Sequence, residues 1–127
     1  MLGVFTLFGR SREVQRLDGT LRAAGLHPAL MPDAVKITLL KLLKEERGGE
    51  TPSQETCAYA AELLAYCMLG SVHFVEANDP QRTGAVEVRM EAALEAGESL
   101  DARLVLLALH AGVVAPRVIE RYDLQVT

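Results

Sequence analysis

The segment 57–75, CAYAAELLAYCMLGSVHFV, limits the possible folds of this chain more than any other stretch. Within its long apolar run it carries one acid, Glu62, and one histidine, His73. A carboxylate in the middle of a membrane span costs at least about 2.5 kcal/mol on insertion scales, which disfavours a bilayer helix. Apolar residues recur every three or four positions, the pattern of a helix packed against other helices. We therefore interpret this segment as the central helix of a soluble bundle.

Helix start and stop signals are frequent along the whole chain, whereas strand signals are rare. Ser11 and Ser99 are suited to cap helices, and Gly25 lies where a left-handed residue would end the first of them. Thr51, Pro52 and Gln54 resemble a capping box at the start of the central helix, which then continues or bends near Gly70. Further helices are expected over about residues 32–47, 83–96 and 116–121. Lys36 falls inside an apolar arc, so it must either reach water or pair with an acid, which we expect from the acidic half of the chain.

These signals predict an all-α fold in a single domain. The predicted bundle has five or six helices, with a long central helix at about 52–76 and a buried apolar helix at about 100–111. Residues 104–109 are apolar on every side of a helix, which is why the second of these helices is expected to be central. At 127 residues the chain fits one domain with one core, with residues 1–10 forming an apolar N-terminal arm.

Charge and cysteine content exclude several classes of function. Residues 1–47 carry eight basic and five acidic groups, a net charge of +3, and residues 48–127 carry five basic and twelve acidic groups, a net charge of −7. The chain has neither the dense basic patch of a nucleic-acid-binding domain nor a glycine-rich phosphate loop, so we expect no nucleic-acid partner. On one helix, Cys57 and Cys67 would lie about 15 Å apart, too far for a disulfide. This favours a reduced, cytoplasmic protein.

Two groups of residues are candidates for binding. On the central helix, one stripe holds two tyrosines, two acids and a histidine that could bind a small ligand or a metal: Tyr59, Glu62, Tyr66, His73 and Glu76. The alternative is that this stripe is simply the solvent face of an amphipathic helix. In the N-terminal arm, large apolar residues are candidates for an interface: Leu2, Val4, Phe5, Leu7 and Phe8. Membrane contact through this arm is a less favoured possibility.

Metal and cofactor chemistry find little support in the sequence. Carboxylate-bridged metal sites in bundles use Glu-x-x-His pairs, and the chain contains none. Cys57 and Cys67 lack the spacing of zinc ligands and fall on the apolar seam, where we expect small core side chains rather than a catalytic thiol. We therefore expect no metal, no cofactor and no catalytic residue.

Apolar helical faces are abundant for so short a chain, and this surplus leads to the functional prediction. A helix that is apolar all round needs neighbours on every side, which one copy of the chain does not obviously supply. We predict a non-enzymatic helical interaction or oligomerisation module, most simply a homodimer. The alternative is a ligand-binding or metal-binding helical domain that uses the tyrosine, glutamate and histidine stripe.

Overall fold

A computed structural model describes residues 11–125 of the chain, and this part is built from α-helices without a strand. A short 3-10 helix, Pro28–Leu30, lies between the first two α-helices. The six α-helices are α1 Arg12–Ala23, α2 Asp33–Glu46, α3 Gln54–Ala77, α4 Pro80–Ala96, α5 Leu100–His110 and α6 Pro116–Tyr122. The predicted all-α bundle is therefore confirmed. The arm predicted at residues 1–10, with Leu2, Val4, Phe5, Leu7 and Phe8, lies outside the described residues.

Helix caps account for where several of these helices begin. The Ser11 hydroxyl accepts a hydrogen bond from the Val14 amide at 3.1 Å, and Ser99 caps α5 in the same way. The start predicted for the central helix is wrong by two residues, because Ser53 rather than Thr51 is the cap. The Pro52 carbonyl, just before the cap, accepts a hydrogen bond from the Arg16 side chain of α1 at 2.8 Å.

The central helix α3 packs against α1, α4, α5 and α6, and it supplies much of the core. It is bent at Gly70, where the backbone angles are φ 84° and ψ 168°, a conformation that is essentially limited to glycine. The break frees the Cys67 carbonyl, which accepts a hydrogen bond from the Ala115 amide at 2.8 Å. Of the two possibilities that the sequence left open, a straight or a bent helix, the structure shows the bent one.

The second half of α3, residues 71–77, meets the end of α1. Gly25, at φ 94°, lies so close to Ala77 that a side chain at position 25 would overlap the Ala77 methyl group. The Asn78 side-chain amide donates to the Ala24 carbonyl at 2.9 Å and closes the same junction. The left-handed residue predicted at Gly25 is thus confirmed, and it is required by close packing as well as by the helix end.

Lys36 in α2 is buried, with only 2% of its side chain exposed, and forms an ion pair with Asp18 of α1 at 2.8 Å. The expectation that its acid would come from the acidic half is wrong, because α1 and α2 pack directly against each other.

The sequence predicted that α5 would be buried on every side. One face, which includes Leu104 and Ala108, is buried, whereas Leu106 is 46% exposed. One face of α5 is therefore not covered by the described chain.

Among the described residues, α3 is the one helix long and apolar enough to cross a membrane by length and composition. Half of its most apolar window is buried inside the bundle. Core helices of soluble proteins pass the same test, so this property does not distinguish the two cases.

Candidate functional site

The predicted stripe on α3 is divided into three environments. Tyr59 is half exposed, and the Arg89 guanidinium stacks on its ring at 3.4 Å from the centroid. Glu62, one turn later, forms an ion pair with Arg82 at 3.0 Å and approaches Arg89 at 3.6 Å. Arg89 also binds both carboxylate oxygens of Asp101 at 3.0 Å each. This end of the stripe is a surface network that ties α3 to α4 and α5.

Tyr66 is fully buried and forms the centre of a second polar network. Its hydroxyl donates to Glu87 Oε2 at 2.9 Å and lies 3.0 Å from the Tyr122 hydroxyl. Its ring packs edge-on against Phe74, with centroids 5.6 Å apart. Burial, followed by the hydrogen bonds with Tyr122 and Glu87, raises the pKa of Tyr66 well above its usual value. Tyr66 therefore acts as a neutral hydrogen-bonding group and not as a phenolate.

Glu87 of α4 joins three elements through one oxygen atom. Besides Tyr66, its Oε2 accepts hydrogen bonds from Ser71 at 3.0 Å and from Arg121 at 2.6 Å. Burial alone would raise the pKa of Glu87, but the hydrogen bonds from Tyr66, Ser71 and Arg121 outweigh burial and lower it. The carboxylate is consequently ionised and fixed, and it positions the Arg121 guanidinium at the surface.

His73 and Glu76 lie on the second half of α3 and are both exposed, at 70% and 68% of their side chains. His73 Nδ1 lies 3.0 Å from Glu76 Oε1. The bend at Gly70 separates them from the line of Tyr59 and Glu62, so the five predicted residues do not face one common site. Their role in ligand binding stays a prediction. Tyr66 and His73 border one cavity, whereas Tyr59 and Glu62 border a second one, of about 300 Å³, beside α1.

That cavity, of about 430 Å³, lies at the bend of α3, between its second half and α6. Leu69, Val72 and Val118 form its apolar part. Its polar part consists of side chains from both helices: Tyr66, Ser71, His73, Arg117 and Arg121. We refer to it below as the bend cavity.

Two apolar grooves lie on the opposite part of the bundle, on either side of Leu106 in α5. The α4–α5 groove, of about 190 Å³, has a lining of apolar residues and one glycine: Ala93, Leu94, Gly97, Ala102, Val105, Leu106, Leu109 and Leu124. The α2–α5 groove, of about 400 Å³, includes Leu42, Leu106 and Leu107 and has charged residues at its rim. Leu106 is the ridge that both grooves share.

Both cysteines are buried free thiols. Burial raises the pKa of Cys57 and raises that of Cys67 to about 12. No group of three or more His, Cys, Asp or Glu residues in the stretch 11–125 is placed to hold a metal ion.

Sequence reasoning missed Glu87, Arg117, Arg121 and Tyr122. Glu87 lies 21 positions from Tyr66, and Arg121 lies 34 positions from Glu87, so no local pattern connects them. A partial signal was present in α4, where Glu87 directly follows the buried Val86 and is therefore beside the packed face. In α6, Arg117 and Arg121 have the spacing of residues on one helix face.

Comparison with known proteins identifies no relative: no family model, no curated protein and no solved structure matches this chain.

Proposed function

We propose that this chain is a non-enzymatic helical self-association module and that two copies meet across α5. The proposal rests on the exposure of Leu106. This leucine lies on α5, a helix that the sequence predicts to be central, yet it is 46% exposed. It separates two apolar grooves, and Leu94, which borders one of them, is also 46% exposed. A continuous apolar surface of this kind is typical of protein–protein contacts.

Charge at the edge of this surface favours a second copy of the same chain as the occupant. Lys41 and Glu45 border the α2–α5 groove, one helical turn apart, and neither makes an ion pair within the described part of the chain. A two-fold axis brings the same patch of both copies together, so a residue away from the axis meets a different residue of the partner, and the same pair forms twice. Lys41 of each copy can then pair with Glu45 of the other, which gives one ion pair on either side of the contact at Leu106.

The buried free cysteines are consistent with a cytoplasmic location, which we also propose, because neither thiol is exposed for an intermolecular disulfide.

Sedimentation equilibrium at micromolar concentration tests the self-association. The natural chain is expected to form a dimer, and L106D is expected to weaken it at least tenfold by burying a carboxylate at the contact. V88D is the matched control, because Val88 is 65% exposed on α4 but borders neither groove. The control should dimerise like the natural chain.

A charge exchange tests the geometry of the contact. K41E places two acids opposite each other and should weaken the dimer, whereas the double variant K41E/E45K should restore it. A natural chain that sediments as a monomer, or a dimer that tolerates L106D, would refute the proposal.

A further inference from the structure

We propose that the bend cavity binds the phosphate group of a small organic phosphate ester. The proposal concerns a different face of the molecule from the α5 surface, since no residue lines both the bend cavity and either groove. It rests on the charges that border the cavity, on how they are positioned, and on the size and apolar walls of the space.

The lining of the bend cavity contains two arginines and a histidine but no acidic residue, and the hydroxyls of Tyr66 and Ser71 in it donate to Glu87. This composition stands out in a chain whose net charge is −4. Arg117 is exposed and makes no ion pair within residues 11–125, so its charge is available to a ligand. Arginine presents up to five N–H donors in a planar arrangement that matches phosphate oxygens.

The second arginine is held in place by the protein. Arg121 Nη1 donates to Glu87 Oε2 at 2.6 Å, and Glu87 is itself fixed by Tyr66 and Ser71. This contact uses one nitrogen of the guanidinium and leaves other donors free to point at a ligand. An arginine already ordered in this way loses less conformational entropy on binding than a free surface arginine.

Two acids that contact residues of the lining are already paired, Glu87 with Arg121 and Glu76 with His73. The cavity lies at the break in α3, with one side lined by residues 69–73 and the other by Arg117, Val118 and Arg121 of α6.

The size and walls of the cavity indicate that the phosphate carries an organic body. At about 430 Å³ the cavity falls in the range of roughly 300–1,000 Å³ that is usual for pockets that bind small molecules. Leu69, Val72 and Val118 offer apolar contact beside the cationic end. Ligand pockets commonly combine an apolar lining with a few polar groups that fix orientation.

Two-dimensional amide NMR at constant ionic strength tests the proposal, with inorganic phosphate, acetate and phenyl phosphate as probes. Phosphate should cause saturable shifts confined to the second half of α3 and to α6, and it should bind at least fivefold more tightly than acetate. Phenyl phosphate should bind at least threefold more tightly than inorganic phosphate because of the apolar walls.

The decisive variant is R117M, which removes the one unpaired cation at the cavity and alters no internal contact. It should weaken phenyl phosphate binding at least tenfold, while R117K should lose less. R22M is the matched control: Arg22 is also exposed, lies on α1, and lines neither the bend cavity nor either groove. The proposal is overturned if all three probes give the same diffuse shifts, if phenyl phosphate binds no better than phosphate, or if R117M binds as well as R22M.

Discussion

Among substitutions that neutralise a single charged side chain, the one at Asp18 should be among the most destabilising. Lys36 is 2% exposed and lies 2.8 Å from Asp18, whose own side chain is 14% exposed. The variant D18N keeps the shape of the side chain but leaves the buried ammonium without its counter-charge. Breaking one side of a buried ion pair costs about 3–5 kcal/mol. Small domains are stable by roughly 5–15 kcal/mol in total, so the loss is a large fraction.

Thermal and urea unfolding, followed by circular dichroism at neutral pH, measure this effect. For a domain of this size, about 4 °C is lost per kcal/mol, so the melting temperature of D18N should fall by roughly 10–20 °C. The double variant D18L/K36M replaces both charged groups by apolar side chains of similar volume and keeps the unbranched chain of Lys36. It should recover to within about 1 kcal/mol of the natural protein, since buried pairs replaced by apolar groups are often near neutral.

An exposed ion pair provides the control. Arg47 and Glu50 lie 3.8 Å apart, with 41% and 76% of their side chains exposed. The variant E50Q should change the free energy of unfolding by less than about 1 kcal/mol, because solvent screens such pairs. The reasoning is refuted if D18N loses no more stability than E50Q, or if the double variant is no more stable than D18N.

Two other predictions concern titrating groups. Because burial raises the pKa of Cys67 to about 12, and Cys57 is also buried, neither thiol should react with Ellman's reagent until denaturant is added; rapid labelling of the native protein would contradict this. The lowered pKa of Glu87 means that its carboxylate stabilises the fold at neutral pH and that this contribution is lost as the pH falls through the folded-state pKa. In urea unfolding, the stability difference between the natural chain and E87Q should therefore shrink below about pH 4, and a difference independent of pH would count against the network around Tyr66.

Local rules were sufficient for much of the fold. The caps at Ser11 and Ser99 involve atoms only three residues apart, so their sequence signals were reliable. The start of α3 was misplaced by two residues because Ser53, and not Thr51, caps the helix by accepting from the Thr56 amide. The acid partner of Lys36 was misassigned because the packing of α1 on α2 is not encoded in the spacing of either helix.

The candidate site was less predictable than the fold because it combines distant segments. The stripe from Tyr59 to Glu76 assumed a straight helix, and the positive φ angle at Gly70 turns its second half away from the first. Residues that contact Tyr66 come from α4 and α6, and a single sequence carries no signal for such pairings. Sequence spacing could place Tyr66 and His73 on α3, but the cavity that both border exists only after α6 has packed against the bend.

The break at Gly70 also divides the backbone hydrogen-bond ladder of α3 into two stretches. In an uninterrupted helix of this length, fraying from the C-terminal end can run inward turn by turn. Here the opening of residues 71–77 would stop at the glycine, since the Cys67 carbonyl is already bonded to Ala115 rather than to the next turn. We therefore expect residues 71–77 to open as a cooperative unit separate from the part of the helix before the glycine.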